Sequence, residues 1–495
     1  MSDVPALFTA LALPACAAWI LIGPVVASGR SPLVGMAARA AIAALLGIGL
    51  SSLVSFAYLM LGGALDRTYV IFDSGLFVAL GVGAYLAQRV HPVEGASIPR
   101  RKAIDVVAGV VVAAALVLSV AAFVRFAVAA PHGQWDAWAI WNLRARFLFR
   151  AGSEWRRAFS PELGWSQLGY PLLLPLTVAR AWAYGGETTV APAVVAAVFT
   201  FASPVALGAT IARIAGNVAG AIAALVLLAT ADFTVNGAYQ FADVPVAAFL
   251  VAALGTLLLA SEAEGVTRDR RLIVAGLLLG LAGWTKNEGI AAAGCAVCAH
   301  AALTWRRGGR RVARDLGAVA IGAFAPAAAW IAFHAVLVPA IAPAFAGAEH
   351  GAVRNLLDPE RWRVVLAGLG TRFPGREHQL PFVAIVLAVL LGVRPRLLLR
   401  SMPLVASALL LGVYVLIYLV TPLDLQWHLA MSAGRVLLQP WPSLLLGLFV
   451  AVPDPAAQRT TVASVAAGEP TSAGAGEPDA AGAAEPDAVP GGEPM

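Results

Sequence analysis

Four polar interruptions of an otherwise apolar chain hold most of the side chains that could do chemistry. WDAWAIWNLRARFLFR, residues 135–150, sets Asp136 among Trp135, Trp138 and Trp141. A carboxylate at a membrane face can take a proton from a hydroxyl while the bilayer delivers a lipid-borne substrate. YQFADVPVAAFL sets Asp243 at the mouth of an apolar run, and GLLLGLAGWTKNEG carries Lys286 and Glu288. TPLDLQWHLAMSAGRVLLQPWP carries Asp424, His428 and Arg435. A lysine holds a phosphate as a point charge and an arginine holds it bidentately. Each residue also has a plainer role. Trp spaced every third residue can be an aromatic belt with Asp136 as a helix cap, and Asp243 can complement a helix dipole. Lys286 and Glu288 can neutralise each other, and Arg435 can snorkel to headgroups. His428 can donate to phosphate or sit as an interfacial aromatic. None of these has metal-ligand spacing, and the chain lacks GxxxxGK[ST], HExxH, GxSxG and paired CxxC motifs.

The elements that must position these residues are membrane helices. The chain has 495 residues, 60% hydrophobic and 13% charged, with a mean hydropathy of +0.80. That exceeds what a soluble core of this length needs and predicts an all-α polytopic membrane protein of about 13 transmembrane helices. The formal charge of +6 is read as orientation and excludes a nucleic-acid partner, because the basic residues sit in short loops. Arg30, then Arg89 with Arg100, Arg101 and Lys102, Arg213, Arg268 to Arg271, Arg306 to Arg314, and Arg394 to Arg400 share one face if the N-terminus is extracytoplasmic. That solution requires that PLLLPLTVARAWAY, residues 171–184, does not cross, and its Arg180 suggests an interfacial helix on the outer leaflet. Loop 131–188, Asp243, Lys286 to Glu288, loop 338–379 and residues 422–435 then share the outer face, where nucleotide donors are absent. Cys16, Cys295 and Cys298 read as small core thiols. Glu349-His350 and Glu377-His378 read as solvated loop. Residues 453–495, rich in Ala, Gly, Pro and Glu, read as a disordered cytoplasmic tail.

Taken in outer-face order, the Asp136 helix, the YPLLLP segment that begins at Tyr170, ADVP, WTKNEG and the late Arg435 resemble the GT-C superfamily of glycosyltransferases. The likeness is to the bacterial branch with protein mannosyltransferases and lipid A or lipopolysaccharide sugar transferases. It covers residues 103–452, with residues 1–102 as three additional N-terminal helices. The resemblance implies a GT-C-like bundle with an extracytoplasmic loop of juxtamembrane helices, residues 131–188. It implies Asp136 as catalytic base and a polyprenyl-phosphate sugar as donor. Where the family often has Asp-Glu, this chain has Asp136-Ala137, and YPLLLP lacks the family's His.

The implied reaction is one displacement at the anomeric carbon, which inverts it, with a glycan, lipid or protein hydroxyl of the cell envelope as acceptor. Lys286, Arg435 and His428 are the expected phosphate contacts, and Asp243 a second carboxylate or acceptor contact. Trp135, Trp138, Glu288 and Tyr170 support them. No metal or other cofactor is called for. The competing classes are a transporter or lipid-linked sugar flippase, for which intramembrane charge marks a path, and a polysaccharide polymerase or ligase.

Overall fold

The computed structural model describes residues 4–26, 32–89, 103–305, 308–338 and 351–453. Arg30, Arg100, Arg101, Lys102, Arg306, Arg307, Glu349, His350 and the tail after Pro453 lie outside them. The helices run α1 (Val4–Leu21), α2 (Gly23–Val26), α3 (Pro32–Met60), α4 (Arg67–Arg89) and α5 (Ala103–Ala129). After the loop come α6 (Asn142–Arg150), α7 (Leu173–Gly185), α8 (Val190–Ala215), α9 (Asn217–Ala229) and α10 (Ala231–Ala238). The next are α11 (Asp243–Ser261), α12 (Gly265–Thr285), α13 (Asn287–Thr304), α14 (Gly309–Val336), α15 (Ala352–Leu356) and α16 (Pro359–Thr371). The last are α17 (Leu380–Leu390), α18 (Pro395–Leu398), α19 (Met402–Val420), α20 (Leu425–Leu438) and α21 (Trp441–Phe449). No strand occurs among the described residues.

The chain is an all-α polytopic membrane protein. Eight helices among the described residues are long and apolar enough to cross a bilayer: α1, α3, α4, α5, α8, α11, α14 and α19. The pair α9 and α10, bent by 59°, makes nine if it counts as one broken span. The break falls at Thr230, whose ψ of 90° leaves the helical region. Four other apolar runs of the sequence fold as α12, α13, α17 and the α20–α21 pair, which are shorter or more polar. Along α11 nearly every residue from Asp243 to Leu257 is buried, so the bundle is built around it. Val110, Val117, Leu118 and Val128 of α5 are exposed, an apolar face suited to lipid.

Without water to drive apolar faces together, membrane helices gain from close packing across small residues. Gly276 of α12 and Gly322 of α14 are such a pair: a Cβ at the first would strike the Val319 carbonyl, and at the second the Ile273 carbonyl.

The polar contacts between loops sort into two ends of the bundle. At one end Arg213 meets Glu262 at 3.7 Å and Arg314 meets Asp269 at 2.6 Å. There Arg271 donates to the Val25 and Leu259 carbonyls. At the other end lie the contacts of Asp136, Asp243, Lys286 and Arg435. Helix α12 joins the ends, with Arg268 in its first turn and Lys286 just past its last. Its 21 residues span roughly 31 Å at 1.5 Å per residue.

Helix α7 does not pass from one end to the other, because α6 holds both of its ends. Arg144 donates to the Tyr170 carbonyl at 2.8 Å, while Arg146 and Arg150 bind Glu187 at 3.1 and 2.6 Å. Every residue from Leu173 to Trp182 is buried, so α7 packs inside the bundle and is not laid open along the bilayer surface. Arg180 is tolerated there because Asp73 of α4 meets it at 2.5 Å, 107 positions away in the chain.

Candidate functional site

The loop that carries Asp136 enters through Gly133 and pairs with the entry to α11, the Gln134 amide donating to the Tyr239 carbonyl at 3.2 Å. Gln240 has a φ of 61°, in the left-handed region that residues with a Cβ rarely occupy. Its side-chain oxygen accepts from Asn142 at 2.9 Å. Backbone strain of this kind persists only where surrounding contacts enforce it.

Residues 135–150 are helical throughout, but the expectation that three tryptophans share one side of that helix is corrected. Residues Ala137–Trp141 form a π-helical turn, and α6 begins only at Asn142. An extra residue in one turn rotates the side chains beyond it around the axis. Trp135 and Trp138 stay exposed and meet edge to face at 4.6 Å. Trp141 is 2% exposed and packs 5.4 Å from the Tyr170 ring.

Asp136, at the head of this turn, is not a side-chain cap. Its Oδ2 takes a hydrogen bond from Arg435 of α20 at 2.5 Å, across 299 positions of sequence. Arg435 also donates to the Met431 carbonyl and lies 4.6 Å over the Phe241 ring.

Asp243 is not a cap either; the N-cap of α11 is Ala242. It is fully buried, and its Oδ1 accepts from Lys286 Nζ at 2.9 Å and Gln439 Nε2 at 2.6 Å. Lys286 occupies the one extended residue between α12 and α13, with φ −156° and ψ 148°. The Lys286 carbonyl accepts from the Gly289 amide, and a Cβ at Gly289 would strike the Ala282 carbonyl. Glycine at 289 is therefore what lets the chain turn back and hold Lys286 inside. Glu288 completes the group 3.0 Å from Lys286 Nζ, so mutual neutralisation and engagement with a third residue both hold.

Tyr170 sits beside the lysine, its ring 5.8 Å from Lys286 Nζ. Burial holds its phenol well above the ordinary value, so the hydroxyl stays neutral. Of the expected residues, Tyr170, Asp243, Lys286 and Glu288 thus form one group of contacts and Asp136 and Arg435 a second, with Arg435 close enough to act electrostatically on Asp243 and Tyr170. His428 and Asp424 join neither. His428 bonds Thr421 at 3.0 Å and packs on Tyr418, and Asp424 caps α20. Glu377-His378 forms an exposed turn as expected of solvated loop.

No family model, curated protein or solved structure matches this chain.

Sequence reasoning missed several members. Gln439 links Asp243 to Tyr414, whose hydroxyl donates to Gln439 Oε1 at 2.5 Å; an amide inside the last apolar run was its one signal. Asn287 and His334 both bond the Gly169 carbonyl, at 3.1 Å each, which braces the turn before Tyr170. Arg144 clamps the same turn through the Ser166, Gln167 and Tyr170 carbonyls. Among the described residues no group of three His, Cys, Asp or Glu could hold a metal.

Chemically, three carboxylates face two cations. Asp136, Asp243 and Glu288 against Lys286 and Arg435 leave one net negative charge. An arriving anion must displace a carboxylate from a cation. Asp136 on Arg435 is the exposed choice, with side-chain exposures of 15% and 23% against 1% and 5% for Asp243 and Lys286.

Proposed function

We propose that this chain is an inverting glycosyltransferase of GT-C-like architecture that moves a sugar from a polyprenyl-phosphate donor to a hydroxyl acceptor of the cell envelope. The acceptor is a glycan, lipid or protein, and the site faces the extracytoplasmic side of the cell membrane. In this reading α12, α13, α17 and the α20–α21 pair complete a bundle of about 13 spans with α9–α10 as one. Residues 1–102 are an N-terminal addition to the core at 103–452. Residues 453–495 are a cytoplasmic tail.

The observation that carries the reading is the Asp136–Arg435 pair, a carboxylate and a guanidinium joined beside a buried lysine. Donor phosphate takes Arg435 and the Lys286 side and thereby frees Asp136 Oδ2. The acceptor oxygen then bonds to the anomeric carbon as the bond from that carbon to the phosphate oxygen breaks. Asp136 takes the hydroxyl proton, and the phosphate leaves with the electron pair. Arg435 and Lys286 stabilise the charge that grows on it. No metal or other cofactor enters this scheme.

Lipids extracted from cells lacking the chain, compared by mass with wild type, test the reading. Accumulation of a polyprenyl-phosphate sugar is the expected result, and an unchanged lipid profile contradicts it.

A second reading, a transporter or flippase of lipid-linked sugars, is favoured by the 59° break between α9 and α10, since broken helices build transporter sites. Movement of an intact lipid-linked sugar across liposomes, with the sugar-phosphate bond uncleaved, distinguishes it. The same cleavage assay with whole glycans as the transferred group addresses a polymerase or ligase.

A further inference from the structure

Most buried polar atoms in folded proteins have a hydrogen-bond partner, so those without one mark either water or a missing ligand. Four such atoms belong to residues around Lys286 and Tyr170: Asp243 Oδ2, Glu288 Oε2, Gln240 Nε2 and Trp141 Nε1. Asp243 and Glu288 both hold Lys286 by their other oxygen. Trp141 packs on Tyr170, and Gln240 is tied through its oxygen to Asn142, the residue after Trp141.

The chemistry of the four is mixed. Two are carboxylate oxygens, which only accept when ionised, and two are N–H groups, which only donate. A phosphate satisfies the donors and repels the acceptors, and an apolar tail satisfies none. A group with several hydroxyls both donates and accepts, and so answers all four.

We propose that Asp243, Glu288, Gln240 and Trp141 form the subsite that recognises the ring hydroxyls of the transferred sugar, apart from the Arg435 contact that holds the phosphate. The proposal rests on the glycosyltransferase reading and adds to it which residues choose the sugar. Trp141 can be altered without touching the Lys286–Asp243 pair, whereas Glu288 is itself bonded to Lys286.

The test is binding of two kinds of probe to the full-length protein in nanodiscs, followed by surface plasmon resonance. One probe is undecaprenyl phosphate alone. The others are undecaprenyl phosphate bearing glucose, galactose, mannose or arabinose. At least one glycosylated lipid is expected to bind about 10-fold or more tighter than the bare lipid. Glu288→Gln and Trp141→Phe should each remove about 5- to 10-fold of that increment, the worth of one buried hydrogen bond, read in each variant against its own bare-lipid affinity, which Trp141→Phe leaves as in wild type. An increment unchanged in both variants means that water fills the four atoms and overturns the proposal, as does the absence of any increment. Equal weakening of bare and glycosylated lipid in both variants also overturns it, because the residues would then serve only packing. Failure of bare undecaprenyl phosphate to bind wild type, with Arg435→Gln no different, instead contradicts the lipid-phosphate donor itself.

Discussion

Removing Arg180 should show how tightly the first three long helices hold α7. Its guanidinium gives Nε and Nη2 to Asp73 Oδ2 at 3.1 and 2.5 Å, and Nη1 to the Ala10 carbonyl. Both partners are buried, at 1% and 0% exposure. Arg180→Met removes the guanidinium that lies over the Phe77 and Tyr184 rings, and Asp73 keeps only the hydroxyls of Tyr69 and Tyr184. An uncompensated buried charge costs roughly 3–5 kcal/mol, a shift of roughly two to three and a half decades in the unfolding constant. Asp73→Leu strands the guanidinium with one carbonyl and should cost about as much. The double variant should lose far less than the sum, because the desolvation of both charges disappears with them. Unfolding by SDS in mixed micelles, followed by tryptophan fluorescence, gives the four stabilities of the cycle. A coupling of about 3 kcal/mol or more is expected. Additive single variants, or either one within about 0.5 kcal/mol of wild type, would refute the reasoning.

Lys286→Gln and Arg435→Gln should each lower kcat/KM for a lipid-phosphate donor by about 1.5–3 kcal/mol, the worth of a charge-assisted bond, and steady-state kinetics in detergent would check it. In a chain cleared of its three cysteines, a cysteine at the exposed Glu154 should react with impermeant maleimide in intact cells, and one at the exposed Arg310 only after lysis; the reverse labelling would invert the topology. Gly276→Leu should drive α12 from α14 and lower the melting temperature by more than Gly294→Leu, where a Cβ meets nothing within 4 Å.

Composition and the scatter of basic residues made the helical membrane class legible, and order along the chain pointed to Asp136, Asp243, Lys286, Glu288 and Arg435 before any contact was known. What periodicity could not carry was local geometry. Trp135, Trp138 and Trp141 look like one stripe at three-residue spacing, but one π turn sends Trp141 inward. Arg180 looks interfacial because its partner, Asp73, stands 107 positions away in another helix. A charge's fate depends on what packs against it, and a sequence states only its neighbours along the chain. Gln439 was silent for the same reason: one amide in an apolar run gains meaning only when the fold brings it to Asp243. Asp243 itself was balanced between cap and reactive carboxylate until its burial and its bond to Lys286 were in view.

The most direct test of the central claim is acceptor-dependent release of polyprenyl phosphate by purified Asp136→Asn. The amide keeps the size of the side chain but cannot take the hydroxyl proton. Release should fall about 10²- to 10⁴-fold while the melting temperature stays near wild type and donor binding is no weaker, because the amide no longer competes with phosphate for Arg435. Turnover at the wild-type rate in this variant would contradict the account and move the proton transfer elsewhere, first to Asp243.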